Sequence, residues 1–150
     1  MISCTEFIPA YSELFKFLEE KQGKTAVIDY WKYLSDIFLT NLKDEVVEHG
    51  LRGCWNYWSI TLKEEAADFT MELDEEAEEF SISMHYCPSK GRLLELNHME
   101  PYRDYCEHCD LLYRRVLEPL GFNYELDTSQ TDQARCRLTI QPMQKQNKQT

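Results

Sequence analysis

The spacing of apolar residues changes along the chain, and this change sets the fold class. In residues 69–86, apolar side chains alternate with polar ones in two runs separated by an acidic turn at 74–77. The same alternation occupies residues 122–126 and 135–140, on either side of the turn 127–133. Alternation places successive side chains on opposite faces of a β-strand, so each pair of runs predicts an antiparallel hairpin. The two hairpins are expected to form a four-stranded, mostly antiparallel sheet.

The first half of the chain has a helical repeat instead. Apolar residues recur three and four positions apart over about 9–21, 25–49 and 51–67, with Gly50 as the expected stop of the second helix. A further helix of about five turns is predicted over residues 101–119, because Pro suits a first helical turn. The predicted fold is therefore α+β, with an N-terminal helical layer, the sheet, and this cysteine-bearing helix packed on the sheet.

The length of 150 residues suits one domain with a sizeable core. We find no linker composition within residues 1–140, which are expected to form a single α+β domain. Residues 141–150 are polar and without periodicity, so a disordered tail is expected there.

The net charge and the cysteine content limit the expected binding partners and the expected cellular compartment. The net charge of -11 argues against a large nucleic-acid footprint and against an anionic membrane surface, which leaves a small molecule or a protein as the expected partner. The N-terminus lacks the basic and apolar regions of a signal peptide, and no apolar run reaches the length of a membrane span. We therefore expect a cytoplasmic protein whose six cysteines are reduced thiols or metal ligands.

Residues 98–113 carry two cysteines, two histidines and three tyrosines in one stretch. At about 100° per residue, one inner stripe of the predicted helix contains Tyr102, Tyr105, Cys106, Cys109 and Tyr113. His108 falls on the polar side, which makes a catalytic pair with Cys109 unfavourable. Asp110 lies four residues from Cys106 and is a better neighbour for a thiol within the helix.

The cysteines have three possible roles, which the sequence leaves open. Alternation places Cys136 on the strand face that should meet Cys106 and Cys109, and Cys87 ends another strand nearby. The four could be small buried hydrophobes, or together they could bind zinc through soft sulfur ligands. Alternatively Cys106, nearest the helix N-terminus, could be a nucleophile or redox thiol, with His98 as its candidate base.

Aromatic and basic side chains are candidates for contacting a small molecule. Trp55 and Trp58 lie one helical turn apart and either pack in the core or form an aromatic pocket wall. Tyr102 and Tyr113 share the inner stripe of the later helix. Arg137 could hold a substrate carboxylate with its guanidinium fork, or form a surface ion pair.

These motifs resemble the L-2-amino-thiazoline-4-carboxylic acid hydrolase-like family. The resemblance covers roughly residues 55–140 and rests on four motifs: Cys87-Pro88, Tyr-Cys-Glu-His-Cys-Asp at 105–110, Leu-Glu-Pro-Leu-Gly-Phe at 117–122 and Cys-Arg-Leu-Thr-Ile at 136–140. It implies an α+β domain whose namesake opens a cyclic amidine-like ring by adding water across a C=N bond. We hypothesise that Cys106 attacks the ring carbon, supported by Cys109, Asp110 and His98. A hydrolase acting on a C–N bond of a small heterocycle is the first functional expectation.

Two alternatives to the hydrolase belong to other classes of function. Helices followed by a small sheet, with cysteines near the last helix, also resemble the vinyl-reductase-type ligand-sensing domains, which bind small hydrophobic molecules and can use cysteines for zinc. A non-catalytic small-molecule-binding or sensory domain is therefore the second expectation. The third is a protein-interaction domain with exposed aromatic residues, which would form a homo-oligomer.

Overall fold

The computed structural model describes residues 6–144 and consists of helices on one side of a four-stranded sheet. The helical layer comprises α1 (Phe7–Gln22), α2 (Lys24–Phe38), α3 (Thr40–His49) and α4 (Leu51–Glu64). The remaining elements are β1 (Asp68–Asp74), β2 (Glu79–Tyr86), α5 (Pro88–Glu95), α6 (Glu107–Leu117), β3 (Phe122–Asp127) and β4 (Cys136–Pro142), with short 3-10 turns at Glu118–Leu120 and Thr131–Gln133. None of the helices within 6–144 is long and apolar enough to cross a bilayer. The predicted α+β class is confirmed.

The sheet is antiparallel throughout, in the order β1-β2-β4-β3. Each predicted hairpin is present, and the two are joined through the pairing of β2 with β4. The register places Ile82 opposite Leu138, and Tyr124 opposite Ile140, so the apolar side chains share one face. Helices α4 and α6 pack on that side of the sheet, whereas the opposite face carries polar residues such as Arg137.

Two groups of buried side chains hold the layers together. The sheet core lies between the sheet and α3, α4 and α6, and includes Leu42, Cys54, Trp58, Phe80, Leu117, Tyr124 and Ile140. The aromatic core lies between α1, α2, α5 and the segment before α6, and consists of Phe15, Val27, Trp31, Leu93, Tyr102 and Tyr105. Leu112 of α6 packs against both groups. Helix α6 therefore stands between the two cores.

The prediction of one helix over residues 25–49 is wrong, because the chain breaks at Leu39 into α2 and α3. Leu39 adopts φ -102° and ψ 20° and is buried in the sheet core, whereas Phe38 beside it is 66% exposed. Upstream, Val27 and Trp31 belong to the aromatic core. Because of this break, the apolar residues of 25–49 pack into two different cores. The sequence has no Gly or Pro at the break.

The predicted five-turn helix is also too long at its start. Residues 103–106 form turns, and α6 begins at Glu107 with Cys106 in the N-cap position. The N–H of Tyr102 donates instead to Ser12 Oγ on α1, at 2.8 Å. This tertiary bond and the burial of the Tyr102 and Tyr105 rings in the aromatic core replace the first helical turns.

The predicted disordered tail begins too early. Strand β4 continues through Gln141 and Pro142, which pair with Asn123 and Phe122 of β3. The N–H of Met143 then donates to the carbonyl of Gly121 at 2.8 Å. Residues 145–150 of the predicted tail lie outside the described residues.

Candidate functional site

A cavity of about 560 Å³ lies between the helical layer and the inner face of the sheet. Residues of α1, α4, α5, α6, β2, β3 and β4 contribute to its wall. Most of its lining is apolar or aromatic, including Tyr11, Trp58, Met84, Tyr105, Tyr113 and Leu138. A volume and a lining of this kind are usual for pockets that hold small organic molecules.

Four cysteines from three parts of the chain line this cavity. Cys87 is the N-cap residue of α5, where its sulfur accepts a hydrogen bond from the Lys90 N–H at 3.4 Å. Cys106 occupies the N-cap position of α6, and Cys109 follows in the first turn. Cys136 is the first residue of β4. The helix start and the strand ends thus bring together thiols that are up to 49 positions apart, counting 136 minus 87.

Burial keeps these thiols protonated. Desolvation is the main cause of a raised pKa at Cys87, Cys106 and Cys109, and it raises the pKa of Cys136 to about 12. The other three thiols further raise the pKa of Cys109, whereas the Lys90 ammonium lowers the pKa of Cys106. At neutral pH the cavity wall therefore presents S–H groups, whereas nucleophilic attack and metal binding require thiolates.

The four thiols share a wall but do not form a coordination shell. Across residues 6–144, no group of three or more His, Cys, Asp or Glu side chains is placed to hold a metal ion. Tetrahedral zinc requires four ligands at about 2.3 Å from one point. The arrangement therefore does not provide a zinc site at Cys87, Cys106, Cys109 and Cys136, which was one of the three roles left open for these cysteines.

His108 is packed among aromatic rings, and the prediction that it faces solvent is wrong. Its ring centroid lies 4.7 Å from that of Tyr105 and 5.7 Å from that of Phe15. Its Nδ1 bonds the backbone oxygen of Tyr105, and its Nε2 lies 3.5 Å from Cys109 Sγ. Burial lowers the pKa of His108 to about 4, so the ring is neutral. Helices α1 and α2 cover the side of α6 that a helical wheel assigns to water.

Among the other side chains predicted to contact a substrate, Trp58 and Tyr113 line the cavity. Trp55 instead packs at the edge of the sheet core, with the Arg52 guanidinium 5.9 Å from its ring. Tyr102 is 2% exposed within the aromatic core. Arg137 lies on the opposite face of the sheet, where it donates to Ser83 Oγ at 2.6 Å and to Ser81 Oγ at 3.2 Å.

Two of the three residues predicted to support a nucleophile, Asp110 and His98, lie away from the cavity wall. Asp110 accepts two hydrogen bonds from Arg114, at 2.6 and 3.2 Å, and its carboxylate is occupied by that guanidinium. His98 is exposed in the segment that follows α5. Neither side chain lines the cavity with Cys106 and Cys109.

Sequence reasoning missed the cations Lys90 and Arg135 of the cavity wall, which also contains Glu65. Glu65 caps the end of α4, and burial followed by the charge of Glu64 raises its pKa. Lys90 lies three residues after Cys87, and Arg135 directly precedes Cys136. Their closeness to Cys87 and Cys136 in sequence was the available signal.

No family model matches this chain, and no curated protein or solved structure matches it. The fold and the cavity define an α+β domain with a pocket between a helical layer and an antiparallel sheet. The wall of that pocket combines apolar surface, neutral thiols and a few charged groups.

Proposed function

We propose that this protein is a binding domain for a small, largely apolar molecule, held in the cavity between α6 and the sheet. The observation that supports this most is the wall itself, about 560 Å³ in volume and lined by aromatic rings, aliphatic side chains and protonated thiols. Such a wall gains free energy by removing apolar ligand surface from water, at about 25 cal/mol per Å² buried. A bound molecule of this kind would contact Trp58, Met84 and Tyr113.

The protonation of the wall favours binding over nucleophilic attack. The Cys109 thiol has a pKa raised well above 9.0, and the His108 imidazole has one lowered to about 4. Moving the thiol proton to this imidazole is unfavourable, because burial disfavours both the thiolate and the imidazolium that the transfer would create. Cys106, the predicted nucleophile, also has a raised pKa. The thiols and the imidazole of the resting wall are therefore neutral.

The binding proposal is tested with N-phenyl-1-naphthylamine, a neutral probe whose fluorescence rises in apolar surroundings. We expect saturable binding of one probe per chain. Cys106→Phe should weaken it at least tenfold, because the larger side chain fills the cavity from a position where Cys106 makes no capping hydrogen bond. The matched control, Ile60→Phe, adds bulk on the exposed side of α4 and should leave binding unchanged.

Melting curves of both variants check that each is folded. Absence of saturable probe binding would rule out the proposal. Binding by a folded Cys106→Phe protein with wild-type affinity would also contradict it, because the probe would then lie elsewhere.

A second candidate, hydrolysis of a C–N bond in a small heterocycle, is favoured by one contact. Cys109 Sγ lies 3.5 Å from His108 Nε2 in the cavity wall, which is the geometry of a nucleophile and its base. In this candidate Cys109, rather than Cys106, adds to the C=N carbon. Nε2 receives the thiol proton and passes it to the ring nitrogen. The bond between that nitrogen and the attacked carbon then breaks, the ring opens with the nitrogen leaving as an amine, and the carbon stays bound to Cys109 Sγ and doubly bonded to its exocyclic nitrogen. Water adds to this carbon, the S–C bond to Cys109 breaks, and the sulfur takes back a proton as the open product leaves. The resemblance to the 2-amino-thiazoline-carboxylate hydrolases points to the same reaction.

The hydrolase candidate predicts that the protein opens the ring of 2-aminothiazoline-4-carboxylate, with the product followed by mass spectrometry. Cys109→Ser and His108→Gln should each lower the rate at least a hundredfold. Cys87→Ser, at a cavity thiol that has no imidazole contact among the described residues, is the control and should change the rate less than threefold. A wild-type protein without turnover, or an active Cys109→Ser protein, would rule out this candidate and leave the binding proposal intact.

A further inference from the structure

The cavity wall carries more positive than negative charge, although the whole chain has a net charge of -11. Its cations are Lys90, Arg92 and Arg135, and its carboxylates are Glu65 and Glu95. Glu95 accepts a hydrogen bond from the Tyr86 hydroxyl and lies 4.0 Å from the Arg92 guanidinium. This pairing leaves Lys90 and Arg135 facing only one other carboxylate of the wall.

Lys90 and Arg135 lie at the same end of the cavity. Lys90 is in the first turn of α5, and the backbone N–H of the α5 N-cap residue, Cys87, donates to the carbonyl of Ala134 at 2.7 Å. Arg135 follows Ala134 directly. The hydrogen bond therefore ties the two cation-bearing segments together beside the thiols.

Neither cation is neutralised by a nearby carboxylate. Among the described residues, no carboxylate oxygen lies within 4.0 Å of the Lys90 ammonium or of the Arg135 guanidinium. Glu65, at the end of α4, is the remaining carboxylate of the wall and forms no ion pair within the same part of the chain. The whole chain has 27 acidic and 16 basic residues, so two cations of the cavity wall without an ion-pair partner among the described residues are a local reversal of the overall charge.

We propose that the ligand of this cavity is a monocarboxylate with an apolar body. Its carboxylate is held by Lys90 and Arg135, and its body lies against Trp58, Met84 and Tyr113. Hydrogen bonds to charged partners contribute about 1.5–3 kcal/mol each, and a guanidinium fork fits a carboxylate. One negative charge suits two cations that share the wall with Glu65 better than a doubly charged phosphate does. This inference rests on the proposed binding function and adds the chemical class of the ligand.

The test compares 2-naphthoate with 2-naphthamide, which share a ring system and differ in charge. Titrations at pH 7.5 and low salt follow the quenching of tryptophan fluorescence, since Trp58 lines the cavity. We expect naphthoate to bind at least tenfold more tightly than naphthamide. Lys90→Gln and Arg135→Gln should each weaken naphthoate binding far more than naphthamide binding, so that most of that preference is lost. Lys63→Gln is the control, because Lys63 is an exposed cation of α4 outside the cavity wall.

The outcomes separate this inference from the binding proposal. Equal affinities for acid and amide, or a preference that survives both substitutions, would overturn the carboxylate assignment while the bound amide still supports an apolar pocket. Binding of N-phenyl-1-naphthylamine without binding of naphthoate would have the same meaning. If none of the three molecules binds, the proposed function itself fails.

Discussion

His108 is a titratable group held in its neutral form by its surroundings. Burial lowers its pKa from 6.5 to about 4, because the ring packs among Tyr11, Phe15 and Tyr105 and protonation there costs solvation energy. A histidine with a lowered pKa in the folded state stabilises the fold above its unfolded pKa. That contribution is lost as the pH falls from about 6.5 towards 4.

We therefore expect His108 to make the protein less stable in mild acid. Between pH 7.5 and pH 5 its linkage should remove about 2 kcal/mol from the free energy of unfolding, from the two pKa values 6.5 and about 4. Urea unfolding at both pH values measures this loss, and His108→Gln should lack that component.

His98→Gln is the matched control, because His98 is exposed and should keep the wild-type pH dependence. If the His108→Gln protein lost as much stability in acid as the wild type, the neutral buried imidazole would be contradicted.

Single residues of the site were predictable where one neighbour decides their orientation. Alternation along β4 places Cys136 on the inner face of the sheet, and Cys106 and Cys109 line the same cavity. For His108 the helical repeat gives only the direction in which the side chain leaves α6. That direction lies on the polar side of a helical wheel, which does not include the neighbouring helices. The layer that covers His108 comes from α1 and α2, at least 70 residues earlier, counting 108 minus 38.

At the scale of elements, the backbones of α3 and α4 lie in close contact at Gly53. A Cβ at this position would overlap the carbonyl oxygen of Glu45 and lie 2.7 Å from the backbone nitrogen of Val46. Asn56 Nδ2 also donates to Glu45 Oε2 at 3.0 Å across the same contact. The absence of a side chain at Gly53 is thus what lets the two helices pack backbone to backbone.

Gly53→Ala should therefore destabilise the protein by about 2 kcal/mol or more. Overpacking against backbone atoms outweighs the gain of up to about 1 kcal/mol that Ala brings to a helix interior. Chemical unfolding measures the change. Ile60→Ala, 61% exposed on the same helix, should shift stability by less than about 1 kcal/mol. A Gly53→Ala protein as stable as the wild type would show that the helices can separate at no cost.

The kinds of element were predictable, and their ends were less so. Alternation identified all four strands, because one face of the sheet is buried and the other is polar. The helix starts failed where tertiary contacts compete with periodicity, as at Leu39 and Tyr102. The burial of Leu39 in the sheet core and the bond from Tyr102 to Ser12 join residues that are distant in sequence, so a local pattern cannot contain them.

At the scale of the whole molecule, the α+β architecture follows from the order of the helical and alternating patterns, but the cavity does not. Its wall is assembled from α1, α4, α5, α6 and three strands, and its charged margin depends on the pairing of Cys87 with Ala134. The apolar pattern predicts which side chains face the interior. It does not predict where these side chains leave a space between them. The space between them is set by packing geometry alone.

Leu112 connects the two cores and has a consequence for cooperativity. It is a side chain of α6 that packs against both the sheet core and the aromatic core, while the cavity wall takes Trp58 and Tyr124 from the first and Tyr105 from the second. A molecule seated in the cavity would touch both groups, as Leu112 does, and so act as a further shared contact. Ligand binding would then raise stability by mass action and also couple the melting of the helical half to that of the sheet. A bound ligand would thus join the sheet core and the aromatic core into a single core.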